Sequence, residues 1–244
     1  MSEFNEFDQR GFVPERNTGS IISHAFEMYK GIILYAIVAV IIYILGDMVI
    51  QAITGFSSWS SFENFRDYDG DFRRIKYWET PGFGLYYSIS SLFTLLLAPL
   101  YVGLIYIINK YNTKNTVEFT DLFIGYRQNF GNIIIYALIM EIVLWISFFL
   151  CFIPFFFVLP FFLIGYPVLL FENASAIDAI SKSFNIAKEN YGTFLGASFI
   201  GIILSFCGVF ACCIGLIITM PFIMAVMYST YCAFLGKPRQ ITYK

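Results

Sequence analysis

Apolar residues fall into long continuous runs separated by short charged connections, and run length decides what each one forms. Residues 31–53 carry one charge, Asp47, and residues 84–109 carry none. About 20 mostly apolar residues cross the roughly 30 Å of hydrocarbon in a bilayer, so each of these runs predicts one transmembrane helix. Residues 132–171 form a run of 40 with a single charge, Glu141. As one helix it would be about 60 Å long, twice the bilayer, so it has to turn back. Pro154 lacks the backbone donor and disfavours helix in the residue before it, which places the turn at 150–154. Residues 191–236 form 46 more with no charge, and the turn there falls in the glycine- and cysteine-containing stretch 207–215. The prediction is an all-α polytopic membrane protein of six transmembrane helices in three hairpins. The runs are continuously apolar, whereas barrel strands alternate, so a β-barrel is disfavoured.

Ahead of each odd-numbered span lies a stretch of helical period. Ile22, Ala25, Phe26, Tyr29 and Ile33 make the first stripe, with Glu27 and Lys30 opposite. Phe119, Leu122, Tyr126 and Phe130 make the second, with Asp121 and Arg127 opposite. Ile177, Ile180, Phe184, Ala187 and Tyr191 make the third, with Lys182 and Lys188 opposite. Such stripes predict three interfacial amphipathic helices with the apolar face toward lipid, anchored by Phe26, Tyr126 and Phe184. Ser175-x-x-Asp178 has the form of a capping box at the start of the third. Each even-numbered span carries proline, then a small residue, then Tyr or Pro: Pro99, Gly103 and Tyr106; Pro160, Gly165 and Pro167; Pro221, Ala225 and Tyr228. The pattern reads as three copies of one unit running parallel. The chain thus divides into a tail at 1–18, a membrane domain at 19–236 with an outer loop at 55–83, and a second tail at 237–244.

Composition agrees with the runs and adds orientation. Of 244 residues 58% are hydrophobic and 13% charged, with 29 Phe and 17 Tyr and a mean hydropathy of +0.70. Soluble domains carry about a quarter charged residues, so a soluble globular enzyme does not fit. A net charge of −2 gives no basic footprint for nucleic acid. Eleven Lys and Arg fall on the side that holds both termini and four (Arg66, Arg73, Arg74 and Lys76) on the other. The positive-inside rule then places both termini in the cytoplasm. The first apolar run is too long and lacks the small-residue site of a cleaved signal, so it reads as a retained span.

Candidate chemistry is sparse. Asp47 and Glu141 are the ionisable groups inside the runs and form the candidate intramembrane polar site. Glu141 lies mid-span, where a carboxylate costs a few kcal/mol, and is expected to point inward and bond to hydroxyls. Asp67-Tyr68-Asp69-Gly70-Asp71 alternates carboxylates like the start of a calcium loop, with Asp67, Asp69 and Asp71 as ligands. It departs from that loop where Phe72 and Trp78 replace the glycine and the bidentate glutamate, and reads as a polar loop. Cys151, Cys207, Cys212, Cys213 and Cys232 have no metal-ligand spacing with the single histidine, His24, which reads as an interfacial polar residue. No metal, cofactor or catalytic constellation is expected. Asn173-Ala174-Ser175 matches a glycosylation sequon but falls on the cytoplasmic side.

Four strings carry a resemblance. They are Leu97-Ala98-Pro99-Leu100-Tyr101-Val102-Gly103; Cys151-Phe152-Ile153-Pro154; Phe171-Glu172-Asn173-Ala174-Ser175-Ala176-Ile177 with Lys182-Ser183-Phe184; and Cys213-Ile214-Gly215 through Pro221 to Tyr228. Over residues 20–235 the chain resembles a broad group of uncharacterised six-span bacterial membrane proteins. That group is similar to the membrane domain attached to some glycerophosphoryl diester phosphodiesterases. The resemblance implies a six-helix bundle in a bacterial plasma membrane. It does not imply phosphodiesterase activity, because no soluble catalytic domain lies within these residues. Two function classes follow. One is a non-enzymatic scaffold or accessory subunit whose partners are membrane lipids and other membrane proteins; the other is a small transporter or channel built around Glu141.

Overall fold

The computed structural model describes residues 12–57, 80–150, 153–211 and 214–238. The described residues form helices and no strands. Six helical segments are long and apolar enough to cross a membrane: Thr18–Thr54, Phe83–Asn112, Phe130–Phe149, Ile153–Phe171, Tyr191–Phe210 and Gly215–Leu235. An all-α polytopic fold with six spans is therefore what this sequence makes.

The elements are α1 (Thr18–Thr54), α2 (Phe83–Asn112), α3 (Ile124–Arg127), α4 (Phe130–Phe149), α5 (Ile153–Val158), α6 (Gly165–Phe171), α7 (Ala176–Glu189), α8 (Tyr191–Phe206), α9 (Ile214–Thr219) and α10 (Phe222–Leu235). Tight 3-10 turns at Phe119–Phe123, Leu159–Phe162 and Cys207–Ala211 complete them. Helix α4 ends at Phe149 and α8 at Phe206, so both turns lie where Pro154 and the stretch 207–215 place them.

Of the three segments expected as interfacial helices, α7 alone is a separate helix of that length. The first is continuous with its span. Nothing between Thr18 and Thr54 breaks the helix, and α1 runs 37 residues, about 55 Å. Its buried side is Ile21, His24, Ala25, Met28, Tyr29 and Ile32, so this stretch packs on protein along a line that shares Ala25 and Tyr29 with the expected stripe and leaves Phe26 exposed. The second is the turn at Phe119–Phe123 followed by the four residues of α3. Ser175 caps α7 by accepting the Asp178 N–H at 3.2 Å and donating to the Asp178 carboxylate at 2.6 Å.

The chain divides into two compact units, 1–39 with 98–244 and 40–97. In the first, α6 is buried from Gly165 to Phe171 and α10 from Ala225 to Ala233. Helix α6 packs on α4, α7 and α10, and α10 packs on α8. The outer side of α4 presents Ile135, Leu138, Ile142, Trp145, Ile146 and Phe149, all exposed. Spacing of three and four puts them on one stripe, as a lipid-facing side requires. In the second unit, Tyr43 stacks on Phe93 at 6.3 Å, and Phe56 stacks on Tyr86 at 4.6 Å.

The three proline-small pairs have different outcomes. Helix α2 continues through Pro99, and a Cβ on Gly103 would sit 1.9 Å from the Leu122 carbonyl oxygen. Only glycine permits that approach of two backbones. The fourth and sixth spans break at Pro160 and Pro221. Each break is bridged by a tyrosine from another span: Tyr136 Oη donates to the Phe162 carbonyl at 2.7 Å, and Tyr29 Oη donates to the Ile218 carbonyl. Non-helical backbone in a membrane persists where protein supplies such partners.

Candidate functional site

The densest polar cluster lies in the first unit, where the strap Phe12–Thr18, α1, α2 and α10 meet. Asn109 and Asn112 are three apart on α2 and so share a face. Tyr228 and Ser229 are consecutive on α10, and His24 lies on the buried side of α1. His24 Nδ1 and Ser229 Oγ share a 2.8 Å hydrogen bond. Tyr228 Oη donates to Asn109 Oδ1 at 3.0 Å and accepts from Asn112 Nδ2 at 2.9 Å. Asn112 Nδ2 also donates to the Phe12 carbonyl at 3.1 Å, while Asn112 Oδ1 accepts the Phe12 N–H at 3.1 Å. Both amide protons and the amide oxygen of Asn112 are therefore used. Side chains of His24, Asn109, Asn112, Tyr228 and Ser229 are all buried. The cluster is neutral in charge and works as a hydrogen-bond relay that ties three helices and the strap together.

A second cluster surrounds the Phe171–Ile177 string. Glu172 accepts from Tyr231 Oη at 3.1 Å and from Lys182 Nζ at 2.5 Å. Asn129, in a left-handed conformation at φ 54°, donates to the Leu169 and Ala174 carbonyls and accepts from Asn132 Nδ2 at 2.6 Å. The string marks a stitched helix start, which is its physical content.

The predicted site residues Asp47 and Glu141 belong to different units. Asp47 belongs to the second unit, where its carboxylate accepts from Tyr86 Oη at 2.8 Å and Gln51 Nε2 at 2.7 Å. Glu141, on α4 in the first unit, is half-buried beside the exposed stripe and within electrostatic reach of buried Tyr166 on α6. The three anchors are each partly exposed: Phe26 packs edge-on against Phe222, Tyr126 stacks on Phe130, and Phe184 lies on Phe161 at 4.8 Å. Asp67, Asp69, Asp71, Cys151, Cys212 and Cys213 lie outside the described residues. His24 is the correction: expected at the interface, it is buried in protein. The buried line takes Ala25 and Tyr29 from the expected stripe and adds His24 beside them.

Helix α7 presents an unusual surface. Its buried line is Ala176, Ala179, Ser183 and Ala187, small residues that bring the helix close to its neighbours. Its large apolar residues sit outside that line, with Ile177 64% and Phe184 43% exposed. Phe161 joins Phe184 to Tyr191 in an aromatic row, stacking on Tyr191 at 5.5 Å.

Comparison with protein-family models, curated proteins and solved structures finds no match for this chain.

Proposed function

We propose that this chain is a non-enzymatic integral membrane scaffold or accessory subunit that binds lipid and partner membrane proteins. The reading seats it in a bacterial plasma membrane with both termini in the cytoplasm. That placement rests on the eleven-to-four distribution of Lys and Arg and on the family resemblance.

The exposed apolar row on α7 carries the reading. A helix that buries small residues and leaves Ile177 and Phe184 outside has a surface suited to a lipid interface or an apolar partner. The interior supports it from the other side. Asp47, Asn109, Asn112, Tyr136 and Tyr228 are each engaged by intramolecular hydrogen bonds, as in a structural framework.

One observation favours a second reading, a small transporter or channel: the half-buried carboxylate of Glu141 beside Tyr166, on the helix that faces a broken span. Two measurements separate the readings. Native mass spectrometry from mild detergent should find lipid or protein retained, and retention should fall for Ile177→Ser with Phe184→Ser. Vesicles loaded with a pH-sensitive dye should show no proton flux above protein-free controls. A flux abolished by Glu141→Gln would replace the scaffold with the transporter.

A further inference from the structure

We propose that the corner where α7 meets α8 holds an anionic phospholipid, its phosphate at Lys188 and one acyl chain along the ridge Tyr191, Leu195, Phe199 and Ile203. This site rests on the lipid-binding reading above and names the class of lipid.

Chain continuity fixes the depth of α7. The fourth span ends at Phe171 and the fifth begins at Tyr191, so the 14 residues of α7 are tied to transmembrane segments at both ends. The ties are residues 172–175 and Asn190 alone. A helix about 21 Å long on such short links has to lie along the membrane surface. Its line of small residues packs on protein, where α7 meets α4, α6 and the Leu159–Phe162 turn. Phe184 lies on Phe161, a residue of the fourth span, at 4.8 Å. The apolar row of α7 therefore runs onto a span rather than out toward water.

The positive charge at the corner is uncompensated. Successive helical residues turn by about 100°, which puts Lys188 about 40° from Phe184 and on the same side, not opposite it. Lys188 is exposed and has no hydrogen-bond or ion-pair partner among the described residues. Lys182 lies about 160° from Phe184 and is paired with Glu172 at 2.5 Å. Asp178 is taken up by the Ser175 cap. Glu189 lies about 100° round from Lys188. Lysine binds phosphate as a point charge. An unpaired lysine at the edge of an apolar row complements a headgroup of net negative charge.

A path for an acyl chain begins at the same corner. Tyr191, Leu195, Phe199 and Ile203 are spaced by four and form one ridge of α8. Phe199 and Ile203 are exposed. The ridge descends about 18 Å, a little more than the roughly 15 Å of hydrocarbon in one leaflet. Helix α5 supplies the facing wall, where Phe156 meets Phe199 edge-on at 5.8 Å. Tyr191 Oη donates to the Phe157 carbonyl at 3.0 Å and ties the two walls together. That hydroxyl is used inside the protein, so the headgroup falls to Lys188. The ridge takes any acyl chain, and the cation selects the headgroup.

The test uses full-length protein in mild detergent with equal amounts of dioleoyl phosphatidylglycerol and dioleoyl phosphatidylcholine. These lipids share their chains and phosphate and differ in net headgroup charge. Native mass spectrometry should show the anionic lipid retained over the neutral one by about fivefold, the effect of one lysine at an anionic surface. Lys188→Gln should bring that ratio close to one. Lys114→Gln, which removes an exposed lysine outside α7 and α8, should leave it unchanged. Phe199→Ser with Ile203→Ser should lower retention of both lipids. Lys188 is on the surface, so its ratio is readable even where the ridge pair fails to fold. An equal fall for Lys114→Gln, or retention untouched by the ridge pair, would overturn the site. A wild-type ratio near one with both lipids retained removes this site and leaves the scaffold reading standing. Retention of neither lipid nor protein removes both.

Discussion

At the residue scale, single atoms decide how closely the helices approach. Gly103 lets α2 meet the backbone of the 119–123 turn, and a methyl group there would overlap the Leu122 carbonyl. That atom belongs to backbone and cannot swing aside, so Gly103→Ala should cost about 2 kcal/mol or more. A denaturing-detergent titration followed by circular dichroism should show the midpoint fall, and an unchanged midpoint would mean the turn moves freely. What the sequence revealed at this scale was charge. Asp47 and Glu141 stand out because a carboxylate in an apolar run has no ordinary place. Asn109, Asn112 and Ser229 were not legible, because neutral polar residues near the end of a run look like interface. Their relay exists only once α1, α2 and α10 are packed. Tyr228 was visible as the end of the Pro221-Ala225-Tyr228 pattern, but its bonding to Asn109 and Asn112 was not.

At the element scale, length was the readable quantity. Six spans follow from how many apolar residues a bilayer needs, and the turn prolines and glycines mark where two runs fold back. Helical faces were less readable. The expected stripes followed bulk, placing Ile177 and Phe184 on one face of α7. The line that packs on protein is Ala176, Ala179, Ser183 and Ala187, because small residues let neighbouring backbones close in. The large residues were left for the surroundings. If those surroundings are lipid, a Trp at position 184 reports it. Phe184→Trp, in a background whose native tryptophans are replaced by Phe, should be quenched by lipids brominated near the headgroup. A Glu189→Trp control, about 140° further round the helix and exposed, should be quenched less. Equal quenching at both positions would remove α7 from the interface.

At the scale of the whole molecule, orientation rests on the distribution of cations. In a cysteine-free background, Ser60→Cys should react with an impermeant maleimide in intact cells, while Asn115→Cys should react only after lysis. Reaction of Asn115→Cys in intact cells would invert the topology. The six-span plan was legible because it depends on a sum, that of apolar length. How the spans are held was not, because that depends on pairs far apart in sequence, such as Tyr29 with Ile218 and His24 with Ser229.

Those distant pairs bear on how the chain is made. Tyr136 and Phe162 are 26 residues apart. At synthesis rates of about 5–20 residues per second, that break finds its hydroxyl within about 1–5 s. Tyr29 and Ile218 are 189 apart, and His24 and Ser229 are 205 apart. The first span therefore waits on the order of 10–40 s beside the ribosome with polar side chains whose acceptors do not yet exist. During that interval water or an insertase has to shelter them. Ribosome-stalled chains that end before residue 214 should crosslink from position 29 to the insertase, and chains extended past residue 235 should release it. Release before α9 emerges would mean that the first span needs no such shelter.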